Sequence, residues 1–168
     1  TTDTLVTKGR VKSEQGGDRE SVEVVTQFQG GGLAALEGKL ALPVSGRLVQ
    51  RFGKQRHEDF GAVLFVKGLE FASAVGAKVV SVAKGKVILS QGLPGFGNVV
   101  IVDHGSRYYT LYGRLASSLA RPGDVVKAGD TIGVLGEVDH RGRNFYFELR
   151  YKGQAVDPRG YFRPGLLG

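Results

Sequence analysis

The side chains able to carry chemistry are few and poorly grouped. The chain holds three histidines, His57, His104 and His140, and no cysteine. The absence of thiols excludes disulfide staples, cysteine-based zinc sites and thiol nucleophiles. His57 stands beside Glu58 and Asp59, but adjacent residues seldom converge on one ion. His104 belongs to a turn-like Asp103-His104-Gly105, and His140 to a charged, loop-like stretch. The three are read as unrelated turn or surface residues. Tyrosine and arginine side chains, the types that dominate interface hot spots, are better represented, among them Tyr112, Arg114, Tyr146 and Arg150.

The elements that must position these residues read as strands. Of 168 residues, 27 are glycine, about twice the usual share of roughly 7%. Without a collagen-like period this density predicts many tight turns between short strands. Arg47 to Phe52, Ala62 to Val66, Lys78 to Ala83, Lys86 to Ser90, Asn98 to Asp103, Arg107 to Tyr112, Thr131 to Leu135 and Phe145 to Tyr151 are the predicted strands. Leu115 to Leu119 reads as a helical turn. Gly76-Ala77-Lys78-Val79-Val80 with Ala83 to Val87 is echoed by Gly123-Asp124-Val125-Val126 with Ala128 to Ile132. Two such Gly-turned hairpins suit a folded-over β-sandwich with pseudo-symmetry. Biotinyl and lipoyl carrier domains use a related rhythm, but the flanks of their modified lysine do not occur here.

Residues 1–38 are expected to be a polar linker or regulatory tail, with a short helix predicted near 18–29 from Asp18 as a cap and the spacing of Val22, Val25 and Phe28. The domain proper is placed at 39–168. The tail carries four basic and six acidic residues and the domain nineteen and ten, so the net +7 resides in the domain. Such a balance suits anionic envelope polymers and acidic proteins. The basic residues are scattered singly, with no helix-turn-helix or RNA-binding signature, so nucleic acid is not the expected partner. No apolar run approaches the roughly 18 residues needed to span a membrane.

Short segments spread over Leu40 to Phe162 resemble, in order, the LytM-type (lysostaphin-like) zinc endopeptidases of bacterial cell walls. Pro43-Val44-Ser45-Gly46, Arg51-Phe52-Gly53, Lys67 to Ala72, Gly95 to Val100, Asp103-His104-Gly105, Thr110 to Leu115, Gly123 to Gly129, Phe147 to Arg150 and Val156-Asp157-Pro158 carry the likeness. The resemblance implies a mostly β, folded-over antiparallel β-sandwich of the LytM (duplicated-hybrid) type with little helix. It also implies vacancies. That family carries His-x-Gly-x-Asp and His-x-His-x-Glu where this chain reads Val66-Lys67-Gly68-Leu69-Glu70 and Asn144-Phe145-Tyr146-Phe147-Glu148.

A catalytic zinc takes about three lone-pair donors and keeps one position open for water. At the matching positions Val66 has no lone pair, and Tyr146 would bind only as a phenolate, which its pKa near 10 opposes. Glu70 by itself is not a site. Arg114 stands where the family keeps a histidine near the metal-bound water. Held about 5 Å from a divalent ion it would repel it by roughly 7 kcal/mol at an effective dielectric of about 20. Asn144 cannot serve as a general base. No metal, cofactor or catalytic residue is therefore expected.

Among metal-free LytM domains the chain looks most like the EnvC type, which activates cell-wall amidases during Gram-negative division. The resemblance implies an exported, periplasmic, monomeric activator of a zinc N-acetylmuramoyl-L-alanine amidase. The vacated groove would be the contact surface, lined by Lys67, Glu70, Tyr112, Arg114, Asn144, Tyr146 and Arg150. Peptidoglycan is a further candidate ligand of the same cleft. A division transmembrane complex would be reached only through an upstream coiled coil that this sequence does not contain. The slightly acidic residues 1–32 would then be an autoinhibitory arm over the basic groove, or only a linker.

Overall fold

β-Branched runs broken by glycine give fifteen strands and two short 3-10 turns among the described residues. The computed structural model describes residues 3–8, 23–56, 63–136 and 144–167, with side chains from Phe28 onward. The strands are β1 (Asp3–Lys8), β2 (Glu23–Phe28), β3 (Arg47–Gln50), β4 (Gly53–Arg56), β5 (Val63–Val66), β6 (Leu69–Ala72), β7 (Lys78–Val80) and β8 (Gly85–Leu93). There follow β9 (Gly97–Gly105), β10 (Tyr108–Leu115), β11 (Ser117–Ser118), β12 (Val125–Val126), β13 (Thr131–Val134), β14 (Phe145–Tyr151) and β15 (Gln154–Val156). The 3-10 turns are Ala34–Leu36 and Arg159–Tyr161.

The main sheet runs β12-β8-β9-β10-β14-β6-β3, with β15 beside β14, and its pairs are antiparallel. A second sheet, β11-β13-β7, lies against it. Val79 and Ile132 from the second sheet join Val87, Val100, Val102, Tyr112, Phe145, Phe147 and Leu149 from the first in one apolar cluster. Alternation explains β14: Phe145, Phe147 and Leu149 enter this core, which leaves Tyr146, Glu148 and Arg150 for the other face. The architecture is the mostly β, antiparallel one that the turn pattern predicted.

The internal echo has an unexpected form. The two repeated units do not close as separate hairpins; they exchange strands. β7 of the first unit pairs with β13 of the second, and β12 of the second pairs with β8 of the first. The turns repeat the exchange, since Ser81 N–H donates to Asp130 O and Val87 N–H to Asp124 O.

Three local expectations are corrected. Glu23–Phe28 of the expected helix is strand β2, paired with β1 along Asp3↔Phe28 to Lys8↔Glu23. Residues 18–22 lie outside the described set. Three-residue spacing of apolar positions is weak support for a helix, and pairing with β1 satisfies the same backbone groups. The stretch near Leu115–Leu119 contains β11, paired with β13. The packed domain also begins before residue 39. Phe28 is buried and Leu33 belongs to the core cluster, while Gly32 N–H donates to His104 O. Gly30 crosses the Gly105 backbone so closely that a Cβ at either position would collide with the other strand. This crossing lies at the Tyr108 end of β10, remote from Arg114 near the other end.

Candidate functional site

Three neighbouring strands bring the sequence-marked residues together. β6 supplies Glu70, which sits opposite Tyr146 of β14, and Tyr146 in turn faces Gly113 of β10. A β-bulge between Tyr112 and Leu115 interrupts β10. Within it Arg114 takes a left-handed backbone, φ 64°. Bulges of this kind turn a side chain from its expected face. Arg114 N–H donates to Phe96 O at 2.5 Å. Gly97, itself at φ 67°, lets the hairpin approach, since a Cβ there would lie 3.2 Å from Arg114 Cα.

The bulge brings the Arg114 guanidinium to Glu70 and Tyr146, two positions that the resemblance assigned to metal ligands. Its Nη1 lies 3.2 Å from Glu70 Oε2 and donates to Asn144 O at 3.2 Å. Its Cζ stands 5.3 Å from the centre of the Tyr146 ring, within cation–π range. Phe96 packs on the same ring, centroids 5.4 Å apart. Below this cation Tyr146 Oη donates to Glu148 Oε2 at 2.6 Å, and Arg150 Nε donates to Glu148 Oε1 at 2.8 Å. Glu148 is buried, so both of its oxygens are satisfied where a bare carboxylate would be costly.

The Tyr146 hydroxyl is held well above the ordinary phenol range. Burial is the main cause, followed by its hydrogen bond to Glu148 and the charge of that carboxylate; Arg114 and Arg150 act in the opposite sense. It therefore stays a phenol, with its proton committed to Glu148. Val66 closes β5 with an aliphatic side chain, and the Glu70 carboxylate is engaged by Arg114. These donors do not fit a zinc ion. His104 does not rebuild a site. It is buried at the far end of β9, with Nδ1 2.8 Å from Lys84 O and Nε2 2.7 Å from Thr110 Oγ1. His57, Glu58, Asp59 and His140 lie outside the described residues. Among those described, no three His, Cys, Asp or Glu side chains form a metal-binding group.

The other expected groove residues divide. Lys67 is exposed on the link between β5 and β6, and Asn144 precedes β14 with its carbonyl toward Arg114. Arg150 is partly exposed beside Glu148. Tyr112 is the correction. It is fully buried, its ring edge-on to Phe147, and its hydroxyl accepts from Val82 N–H at 3.1 Å. It braces the core and lines no groove. Phe96 was not singled out by the sequence reading, although an aromatic between Gly95 and Gly97 was the available signal.

The family model for peptidase family M23 matches residues 64–158, more than half of the chain. Over 130 residues the chain is 39% identical to the murein hydrolase activator EnvC of Escherichia coli strain K12, covering 77% of this chain and 30% of that protein. It is 30% identical over 120 residues to the murein hydrolase activator NlpD of the same strain, covering 71% of this chain and 30% of that one. The chain thus spans about a third of the length of these relatives. A zinc-containing peptidase from Vibrio cholerae superposes with a TM-score of 0.62 at 28% identity, over 84% of this chain and 50% of that one. The strand order, the ordered segments and these matches agree: the chain belongs to peptidase family M23.

Proposed function

We propose that this domain is a non-catalytic activator of a periplasmic zinc N-acetylmuramoyl-L-alanine amidase, acting in peptidoglycan hydrolysis at division. The vacated groove is its contact surface. The observation that carries this reading is Arg114, a tethered cation engaged with Glu70, Asn144 and Tyr146 where a hydrolase of this family would need a metal. Two relatives named as murein hydrolase activators support the same direction. An activator works by binding the open form of its target better than the closed one. For a shift from 1:99 to 99:1 that preference must reach about 10⁴-fold. Exposed Lys67, partly exposed Arg150 and the Arg114 edge offer directed donors to carboxylates on such a target.

The test is dye release from labelled sacculi by the protein, by a cell-wall amidase of the same genome, and by both together. Release only by the mixture supports the reading, and Arg114→Glu should then abolish it. Release by the protein alone would refute it. Sacculus binding without release in any mixture would favour a peptidoglycan-binding module using the same cleft.

A further inference from the structure

Arg114 makes fewer hydrogen bonds than a guanidinium at its best. Paired fully, arginine offers a carboxylate two parallel N–H groups. Here Nη1 reaches Glu70 Oε2 at 3.2 Å, and the same nitrogen also serves Asn144 O. Nε is buried and has no acceptor among the described residues. A buried donor left unmet costs free energy. The backbone adds a second cost, since φ 64° lies in the left-handed region that a residue with a Cβ enters at a penalty. The contact with Glu70 is a one-pronged pair on a strained backbone.

The surroundings let Arg114 change its partner without losing its place. Its Cζ stands 5.3 Å from the Tyr146 ring, which Phe96 backs. An aromatic face holds a cation without consuming its N–H groups. The ring itself is fixed, because Tyr146 Oη is committed to Glu148 and the other Glu148 oxygen to Arg150. Glu70 is the carboxylate with room to move. The side chains of Arg114 and Glu70 keep 18% and 24% exposure, so an incoming group can reach the pair. Once released, Glu70 has water and the facing Gln50 of β3, whose amide makes only a 3.4 Å contact to Arg51 O.

We propose that Arg114 is the receptor for one carboxylate of the amidase, and that Glu70 is an internal stand-in which that carboxylate displaces. This rests on the activator reading above. In the free protein Glu70 neutralises Arg114 and masks it. On binding, the guanidinium turns to the target and presents Nε with an Nη as a two-pronged fork. The exchange also makes the groove selective. A free anion must compete with a tethered carboxylate at high effective concentration. A partner already anchored at Lys67 or Arg150 competes on equal terms.

Removing the stand-in should tighten binding. Glu70→Gln is expected to bind the amidase about three- to fivefold more tightly than the wild type, the scale of a partly exposed ion pair, with the gain in slower dissociation. Surface plasmon resonance reads both rates. Glu37→Gln, which removes an exposed carboxylate elsewhere, should bind as the wild type does. A second measurement uses the wild-type chain itself. In heteronuclear spectra the Arg114 Nε–H signal, assigned by its loss in Arg114→Lys, should move downfield when the amidase is added. Unchanged or weaker binding by Glu70→Gln overturns the exchange and leaves the activator reading standing. So does a gain confined to association and erased by salt, the mark of a general charge effect, or an Nε–H signal that does not move in the complex. Failure of the wild-type chain to bind the amidase at all defeats both readings.

Discussion

Tyr146 and Glu148 form the most exacting contact of the site. The 2.6 Å bond from the phenol to a buried carboxylate means that Tyr146→Phe removes a donor and leaves Glu148 Oε2 short of a partner. A loss of roughly 1–3 kcal/mol is expected, measured by urea unfolding. Affinity for the amidase should change little, because the hydroxyl proton is directed inward and the ring that supports Arg114 remains. Tyr146→Ala removes that ring and should lose activation as well. His104 makes a separate prediction. Burial strips water from its cation and pulls its pKa to about 4, against the weaker opposite pull of the Lys84 carbonyl. The unfolded chain, with a histidine pKa near 6.5, then binds more protons between those values. Stability is full above about pH 6.5 and is lost as pH falls toward 4, by about 3 kcal/mol in total. Melting temperature against pH, compared with His104→Gln, reads this directly; an equally steep acid loss in the variant would assign it to other groups.

Among the elements, the bulge in β10 decides which side chain meets Glu70 and Tyr146. Gly97→Ala would force a left-handed alanine and press a Cβ to 3.2 Å from Arg114 Cα. A destabilisation above roughly 1 kcal/mol is expected, with activation falling further than stability alone explains because Arg114 is displaced. The same bulge shows what the sequence could and could not tell. The strands β7, β8, β9, β10, β13 and β14 were legible, because β-branched runs and glycines mark strands and turns locally. Tyr112 was misplaced for a different reason. Residues 112 and 114 share a face in a regular strand, but the irregularity between Tyr112 and Leu115 separates them. Gly113 was the available signal, since an isolated glycine inside a strand often marks a bulge. The boundary near residue 39 failed similarly. Leu33 looks like a lone aliphatic in a glycine-rich link, yet it is completely buried in the core. Leu33→Ala should cost about 2–5 kcal/mol, the range for a buried leucine; a cost below 0.5 kcal/mol would return this segment to a linker role.

For the whole molecule, the proposed reading of Arg114 in place of a metal ion makes a simple prediction. The fold should owe nothing to zinc. Chelator should leave the melting temperature unchanged, and dialysed protein should retain only substoichiometric zinc by elemental analysis. A cooperative fall in stability with chelator would overturn this prediction. No helix among the described residues is long and apolar enough to cross a membrane.

The exchanged strands also constrain how the chain reaches this state. Lys78 finds its partner at Val134, and Val125 finds its partner back at Lys86. Neither repeat can complete its ladder until the other has been made, so no early half of the chain is a stable resting point. Ladders between such distant residues place the domain with the slow, high-contact-order folders, in the range of milliseconds to seconds. Fragments cut in the link between β11 and β12 should stay unfolded alone and recover structure only when mixed.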